Sequence, residues 1–198
     1  MQLRTNNWGR KLNIVPDVFI NYQFKQSESL RFNYSVRRNF SDINSFAEGF
    51  VFNNYNSLYQ GNRDLESALY HNFSLNFFSF NMFSLQNIFA NVAYSKRIDA
   101  FKTNTSIVGI NQLQTTINSN LEDETLSGSG NFQRTFGRVK VSARASLAYS
   151  YTFNIINEFP QNSTSFTQDY TASLGTSFKN APIVEFGYVR SSFYIPGY

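Results

Sequence analysis

The stretch Arg138-Val-Lys-Val-Ser-Ala-Arg-Ala-Ser-Leu-Ala-Tyr-Ser-Tyr-Thr-Phe153 decides the fold. Every odd position from Val139 onward is apolar: Val139, Val141, Ala143, Ala145, Leu147, Tyr149, Tyr151 and Phe153. The even positions Lys140, Ser142, Arg144, Ser146, Ser150 and Thr152 are polar, and Ala148 alone breaks the rule. Successive side chains of a strand point to opposite faces, so this segment has one greasy face and one wet face. Alternation this long exceeds the roughly 5–6 residues of an ordinary strand. It meets the roughly 9–11 tilted residues that a strand needs to cross a bilayer. Aromatics close the greasy face at one end, as an interfacial girdle would.

The same pattern recurs outward from this segment. Val18, Ile20, Tyr22 and Phe24 share one parity, as do Leu30, Phe32, Tyr34 and Val36. So do Leu69, Phe73, Leu75 and Phe77, then Ile88, Ala90, Val92 and Tyr94. Tyr170, Ala172, Leu174 and Phe178, and then Val184, Phe186 and Tyr188, repeat it. Residues 121–136 follow more weakly, because Gly128 and Gly130 dilute the apolar face. The periodicity predicts eight long strands, over about 15–25, 30–38, 67–80, 85–97, 120–136, 138–154, 165–179 and 183–194.

Four connections are tight: Lys25–Ser29, Asn81–Ser84, Gly137–Arg138 and Asn180–Pro182. Three are long, over about 39–66, 98–119 and 155–164. Short turns on one side and long loops on the other is the layout of an outer-membrane barrel. A soluble sandwich would show shorter strands, turn signals every 8–12 residues or so, and inward faces rich in Val, Ile and Leu. Here aromatics make up 18% of residues and the wet faces are rich in Asn and Ser, which argues against it. The expected fold class is therefore all-β, with antiparallel transmembrane β-barrel strands joined as a meander. The whole of 1–198 is read as a single barrel segment.

Composition narrows the function classes. There are no cysteines, which removes disulfide and thiolate-metal chemistry. The net charge of +4 comes without a basic run, so nothing points to nucleic acid. Mean hydropathy is −0.35, and no apolar run is long enough for a transmembrane helix. A barrel is compatible with that value because half of each strand faces water. Met1-Gln-Leu-Arg4 is not followed by the apolar core of an export signal, so the expectation is that the native N-terminus lies further upstream.

Closure is the next question. If the short turns are periplasmic, both chain ends fall on the outer side, which suggests an internal slice of a larger barrel. The wet face points the same way. Arg31, Arg37, Lys140 and Arg144 are expected to face the lumen, against few acids of the same orientation (Asp17, Asp169 and Glu185). A narrow eight-stranded barrel would have to pair those charges. A wide, plugged or hydrated lumen would not.

Several local motifs carry a family resemblance. Ile14-Val-Pro-Asp-Val-Phe-Ile-Asn-Tyr22, then Leu30-Arg-Phe-Asn-Tyr-Ser35, resembles a strand pair in the barrels of Bacteroidota TonB-dependent receptors. The Arg-Pro step that follows there is replaced here by Arg38-Asn39-Phe40. The later Gly-Asn-Pro-x-Leu-x-x-Glu element reads Gly61-Asn62-Arg63-Asp64-Leu65-Glu66, and His71-Asn-Phe-Ser-Leu75 fits the strand after it. The motifs cover about residues 14–75, and the layout covers most of the chain. The resemblance implies a barrel of about 22 strands of the plugged type. It further implies import of a nutrient such as a siderophore, oligosaccharide or peptide, with a plug domain and the TonB complex as partners, and a bacterial outer-membrane location.

Catalytic signals are absent. His71 is the only histidine; it shares its parity with Leu69 and Phe73, and reads as interfacial. Glu122-Asp123-Glu124 reads as a solvated loop margin without a calcium-loop signature. Gly128-Ser129-Gly130 lacks the Lys-Thr and helix of a phosphate loop, and reads as a bend or thin place in the sheet. No cofactor and no metal are expected, and an enzyme is not the expected function. Function in such scaffolds concentrates in loops. The loop 39–66 carries Phe46, Phe50, Phe52, Tyr55 and Tyr59, of which Phe52, Tyr55 and Tyr59 are candidate ligand contacts. Packing of these rings on one another is the plainer alternative. The competing whole-protein reading is an autonomous eight-stranded barrel with a structural or adhesive role.

Overall fold

The computed structural model describes residues 15–98, 100–176 and 183–195. The turn expected at Asn180–Pro182 lies outside them. Twelve strands form one sheet: β1 Asp17–Lys25, β2 Glu28–Asn39, β3 Phe50–Asn54, β4 Ser57–Gln60, β5 Ala68–Asn81, β6 Gln86–Ile98, β7 Ala100–Val108, β8 Asn111–Ser119, β9 Asp123–Phe136, β10 Val139–Ile156, β11 Phe159–Thr176 and β12 Glu185–Tyr194. A single 3-10 turn, Ile43–Phe46, precedes β3.

Eight of these strands are the expected long ones. They run in the order β1-β2-β5-β6-β9-β10-β11-β12, each antiparallel to its neighbour. The four short strands come from the two longest loops. β3 and β4 form one hairpin, β7 and β8 another, and β4 pairs parallel with β8. The expected third loop, 155–164, is not a loop. β10 and β11 stay paired out to Ile156 and Phe159, and the chain reverses over Asn157 and Glu158, both at positive φ. That is the backbone of a primed two-residue turn, built here without the glycine that usually announces it. Pro160 is tolerated in β11 because β12 pairs only from Phe166 onward, so the far edge of β11 is open there.

The registers convert the alternation into two continuous faces. One row runs Val18-Tyr34-Phe73-Tyr94-Leu126-Tyr149-Phe166-Tyr194 across the eight strands. The rings of Tyr34 and Phe73 stack at 4.5 Å, and Phe73 and Tyr94 lie 6.0 Å apart. This row is the aromatic girdle on the long-loop side. His71 stands one step further out and its Nδ1 is 2.9 Å from the Tyr34 hydroxyl, the interfacial position expected of it. In the same row as His71, Lys96 pairs with Glu122 and Glu124, so ions and aromatics mix at this level.

The rows do not cross the apolar band level. The row that starts Tyr22-Leu30-Phe77 ends at Arg190, whereas the row that ends at Tyr188 starts at Glu28 and Ser79. The greasy stretch thus slides toward the short-turn end from β2 to β12. Strand tilt produces that slide, because hydrogen-bonded rows run perpendicular to strands and not to the membrane normal. It places Arg190 at the outer margin of the apolar stretch of β12. Gly128 and Gly130 have ordinary negative φ, and an added Cβ would meet backbone no closer than 3.8 Å. They make a thin place and not a bend: with Ala90, Ala143, Ala145 and Ala172, Gly130 lines an apolar depression of about 470 Å³.

In the full-length protein, Leu147→Arg puts a charge on the apolar face and should cost about 2–4 kcal/mol near the midplane, while Ser146→Arg should cost much less. Denaturant unfolding from phospholipid vesicles measures both. Equal costs would reverse the assignment of the two faces.

Candidate functional site

Two regions carry the chemistry. The first is the wet face of the wall. Arg31 lies in the row Asn21-Arg31-Asn76-Asn91-Ser129-Ser146-Asp169-Ser191. Arg144 lies in the adjoining row Ser29-Phe78-Phe89-Asn131-Arg144-Thr171. Arg37 is paired with Tyr70, and Lys140 with Thr135 and Gly175. All four cations share the face opposite the aromatic girdle, as the alternation requires. None of them forms an ion pair among the described residues. Asn91 Nδ2 donates to Asn76 Oδ1 at 2.6 Å, tying the rungs between them. Phe78 and Phe89, opposite each other across β5 and β6, leave an exposed apolar spot between Arg31 and Arg144. The alternation pattern passed over this spot, since it marks both positions as wet.

The second region is the four-stranded loop sheet β3-β4-β8-β7. Phe52 and Tyr55 are strongly exposed, at 76% and 91%. Tyr59 is not their partner. It stands on the opposite face of the β3–β4 hairpin from Phe52, half-buried, and its hydroxyl lies 2.8 Å from Oγ1 of buried Thr116. The structure therefore brings two of the three candidate rings to the open surface and holds the third in the hairpin packing. Phe50, exposed and two residues from Phe52, joins them. Gly61 anchors the loop from below. Its N–H donates to Ala47 O at 2.8 Å, and Asn62 N–H donates to Ser45 O at 2.7 Å. The backbones approach so closely that a Cβ on Gly61 would sit 2.5 Å from Ala47 O.

One cluster escaped the sequence reading. Asp123 is not at a solvated margin. Its side chain is 12% exposed and pairs with Arg97 of β6 and Lys102 of β7, and its Oδ1 accepts from Phe153 N–H of β10 at 2.9 Å. The only sequence signal was Lys102, the one lysine or arginine in the loop segment 98–119. No group of side chains suited to a metal ion occurs among the described residues.

With the meander, the girdle and the wet basic face in place, comparison with known families is decisive. The model of the outer membrane protein β-barrel family matches residues 2–191. The chain belongs to that family. Membership places this β-barrel protein in the bacterial outer membrane, with its girdled face in contact with lipid. No curated protein and no solved structure matches it.

Gly61→Ala should displace the 43–47 turn and destabilise the loop by about 1–3 kcal/mol, a typical overpacking cost. Gly49→Ala, which has nothing within 4 Å of an added Cβ, is the control. Limited proteolysis reads both, and equal cleavage in the two variants would show that the Gly61 contact bears no load.

Proposed function

We propose that this chain builds part of the barrel wall of a TonB-dependent receptor, a non-enzymatic importer of a scarce nutrient such as a siderophore, oligosaccharide or peptide. The observation that carries this reading is the open wall with free cations on its wet face. β1 pairs only with β2, and β12 only with β11, among the described residues. Backbone groups on an open edge have no partner in hydrocarbon, so a spanning sheet must close. On this reading further strands of the full-length protein close it into a wider barrel. A plug then covers the Phe78–Phe89 spot and presents carboxylates to Arg31, Arg37, Lys140 and Arg144. The loop sheet, with Phe52 and Tyr55 outermost, makes the first contact with ligand. The motif resemblance over residues 14–75 supports the same family of receptors, and the TonB complex supplies the energy.

Refolding of the 198-residue chain in detergent tests it. Aggregation through the open edges is expected. A compact species of heat-modifiable gel mobility and β circular dichroism would mean that eight strands close alone, and would favour a small structural or adhesive barrel.

A further inference from the structure

Among the described residues the loop sheet pairs with one strand of the long-strand wall, β10, and the way its edge is satisfied there is unusual. From Val139 to Tyr151, β10 is hydrogen-bonded to β9. At Ile155 and Ile156 the same edge is paired, in parallel, with Asn104 and Thr105 of β7. Phe153 falls between the two partners and has neither. Its N–H donates to Asp123 Oδ1 at 2.9 Å, and its carbonyl accepts from Lys102 Nζ at 2.8 Å. Two side chains thus replace a strand at the handover, and they are ion-paired with each other. Lys102 is 4% exposed at its side chain, so this cation has no water to fall back on. Arg97 holds the other carboxylate oxygen of Asp123. A further grip on β7 comes from the β10–β11 turn. Asn157 Oδ1 accepts from Ile107 N–H at 2.7 Å, Asn157 N–H donates to Thr105 O at 3.0 Å, and Glu158 N–H donates to Asn104 Oδ1 at 3.2 Å.

We propose that the Lys102–Asp123 pair is a latch that couples the loop sheet β3-β4-β8-β7 to the barrel wall. With the latch closed, the ligand-facing loops and the wall move as one body. With it open, what pairs the sheet to β10 is a two-residue bridge and a turn, beside the chain connections and the Asn118 bonds to Asp64 and Glu66, and the sheet moves more independently. The asymmetry of the ties is the physical reason. Wall strands share long ladders, and local opening follows the weakest set of buried contacts. The short β7–β10 bridge is that set, and the ion pair reinforces it where it begins. The role assigned to the loops rests on the receptor reading above; the coupling itself does not.

Hydrogen exchange of the full-length protein in detergent micelles tests the latch. Lys102→Met keeps the length of the side chain and leaves Asp123 paired with Arg97, so no buried carboxylate is stranded. Exchange of the β7 and β8 amides is expected to rise at least about tenfold, with β9 and the Val139–Tyr151 part of β10 unchanged. Lys102→Arg should restore most of the protection, and Asn157→Ala should raise exchange in the same strands. Unchanged exchange of β7 and β8 in Lys102→Met would overturn the proposal. So would an equal rise in β9 and β10, which would make the pair a support of the wall. None of these readouts depends on import, so a small closed barrel in the refolding test would remove the receptor reading and leave the latch intact.

Discussion

A strand in hydrocarbon has no water to bond its backbone, and this constraint organises the molecule. Every peptide group on the wall needs a neighbouring strand, so the chain must meander. The unbroken β9–β10–β11 ladders are the direct expression of that need. Hydrophobic burial plays the smaller part here. Among the described residues only Val36, Ala68 and Ile155 are buried apolar side chains, so the sheet has no core of its own. Its greasy face is matched to lipid and its wet face to whatever fills the lumen.

That division explains what was legible beforehand. A wall strand has lipid on one side and a polar lumen on the other, and this asymmetry writes itself into sequence as period two. Leu30 to Val36 and Val139 to Phe153 were readable for that reason, and so were the cations opposite them. The strands of the loop sheet have no such asymmetry. β7 reads Ala-Phe-Lys-Thr-Asn-Thr-Ser-Ile-Val and β8 Asn-Gln-Leu-Gln-Thr-Thr-Ile-Asn-Ser, polar at both parities, and alternation cannot announce them. What specifies them is pairing with each other across the Gly109–Ile110 turn and with β4 and β10, which are distant in sequence. The extension of β10 and β11 was hidden differently. Asn157-Glu158 lacks a turn glycine, and Pro160 reads as a strand breaker until the open edge beside it is seen.

The candidate site was legible in the same proportion. Parity sorted the residues between two faces, and the registers put Arg31, Arg37, Lys140 and Arg144 together on the one opposite the girdle. Loop aromatics were found by composition, which carries no orientation, and Tyr59 was therefore grouped with Phe52 although they lie on opposite sides of one hairpin. Asp123 shows the harder limit. In sequence it sits between two glutamates that do face outward and bind Lys96. Its own environment is made by Arg97 and Lys102, and by the backbone of Phe153 thirty residues on. Local composition describes the two neighbours well and the central residue badly.

The same backbone constraint carries the argument past the membrane surface. At Tyr151 the wall partner of β10 ends, yet β10 continues to Ile156. Outside the bilayer water could serve the exposed edge, and a plain extracellular strand would leave it to do so. Instead the edge is passed to Asp123 and Lys102 and then to β7, under a lysine almost without solvent contact. Charged side chains are a costly substitute for a strand, because desolvation offsets much of their attraction. What they offer is a tie confined to one residue, where a ladder would have to zip or unzip along its length. A loop sheet that had only to be rigid would be served better by extending β9 by two residues. The placement of an ion pair at that point is the reason to regard the junction as one built to part.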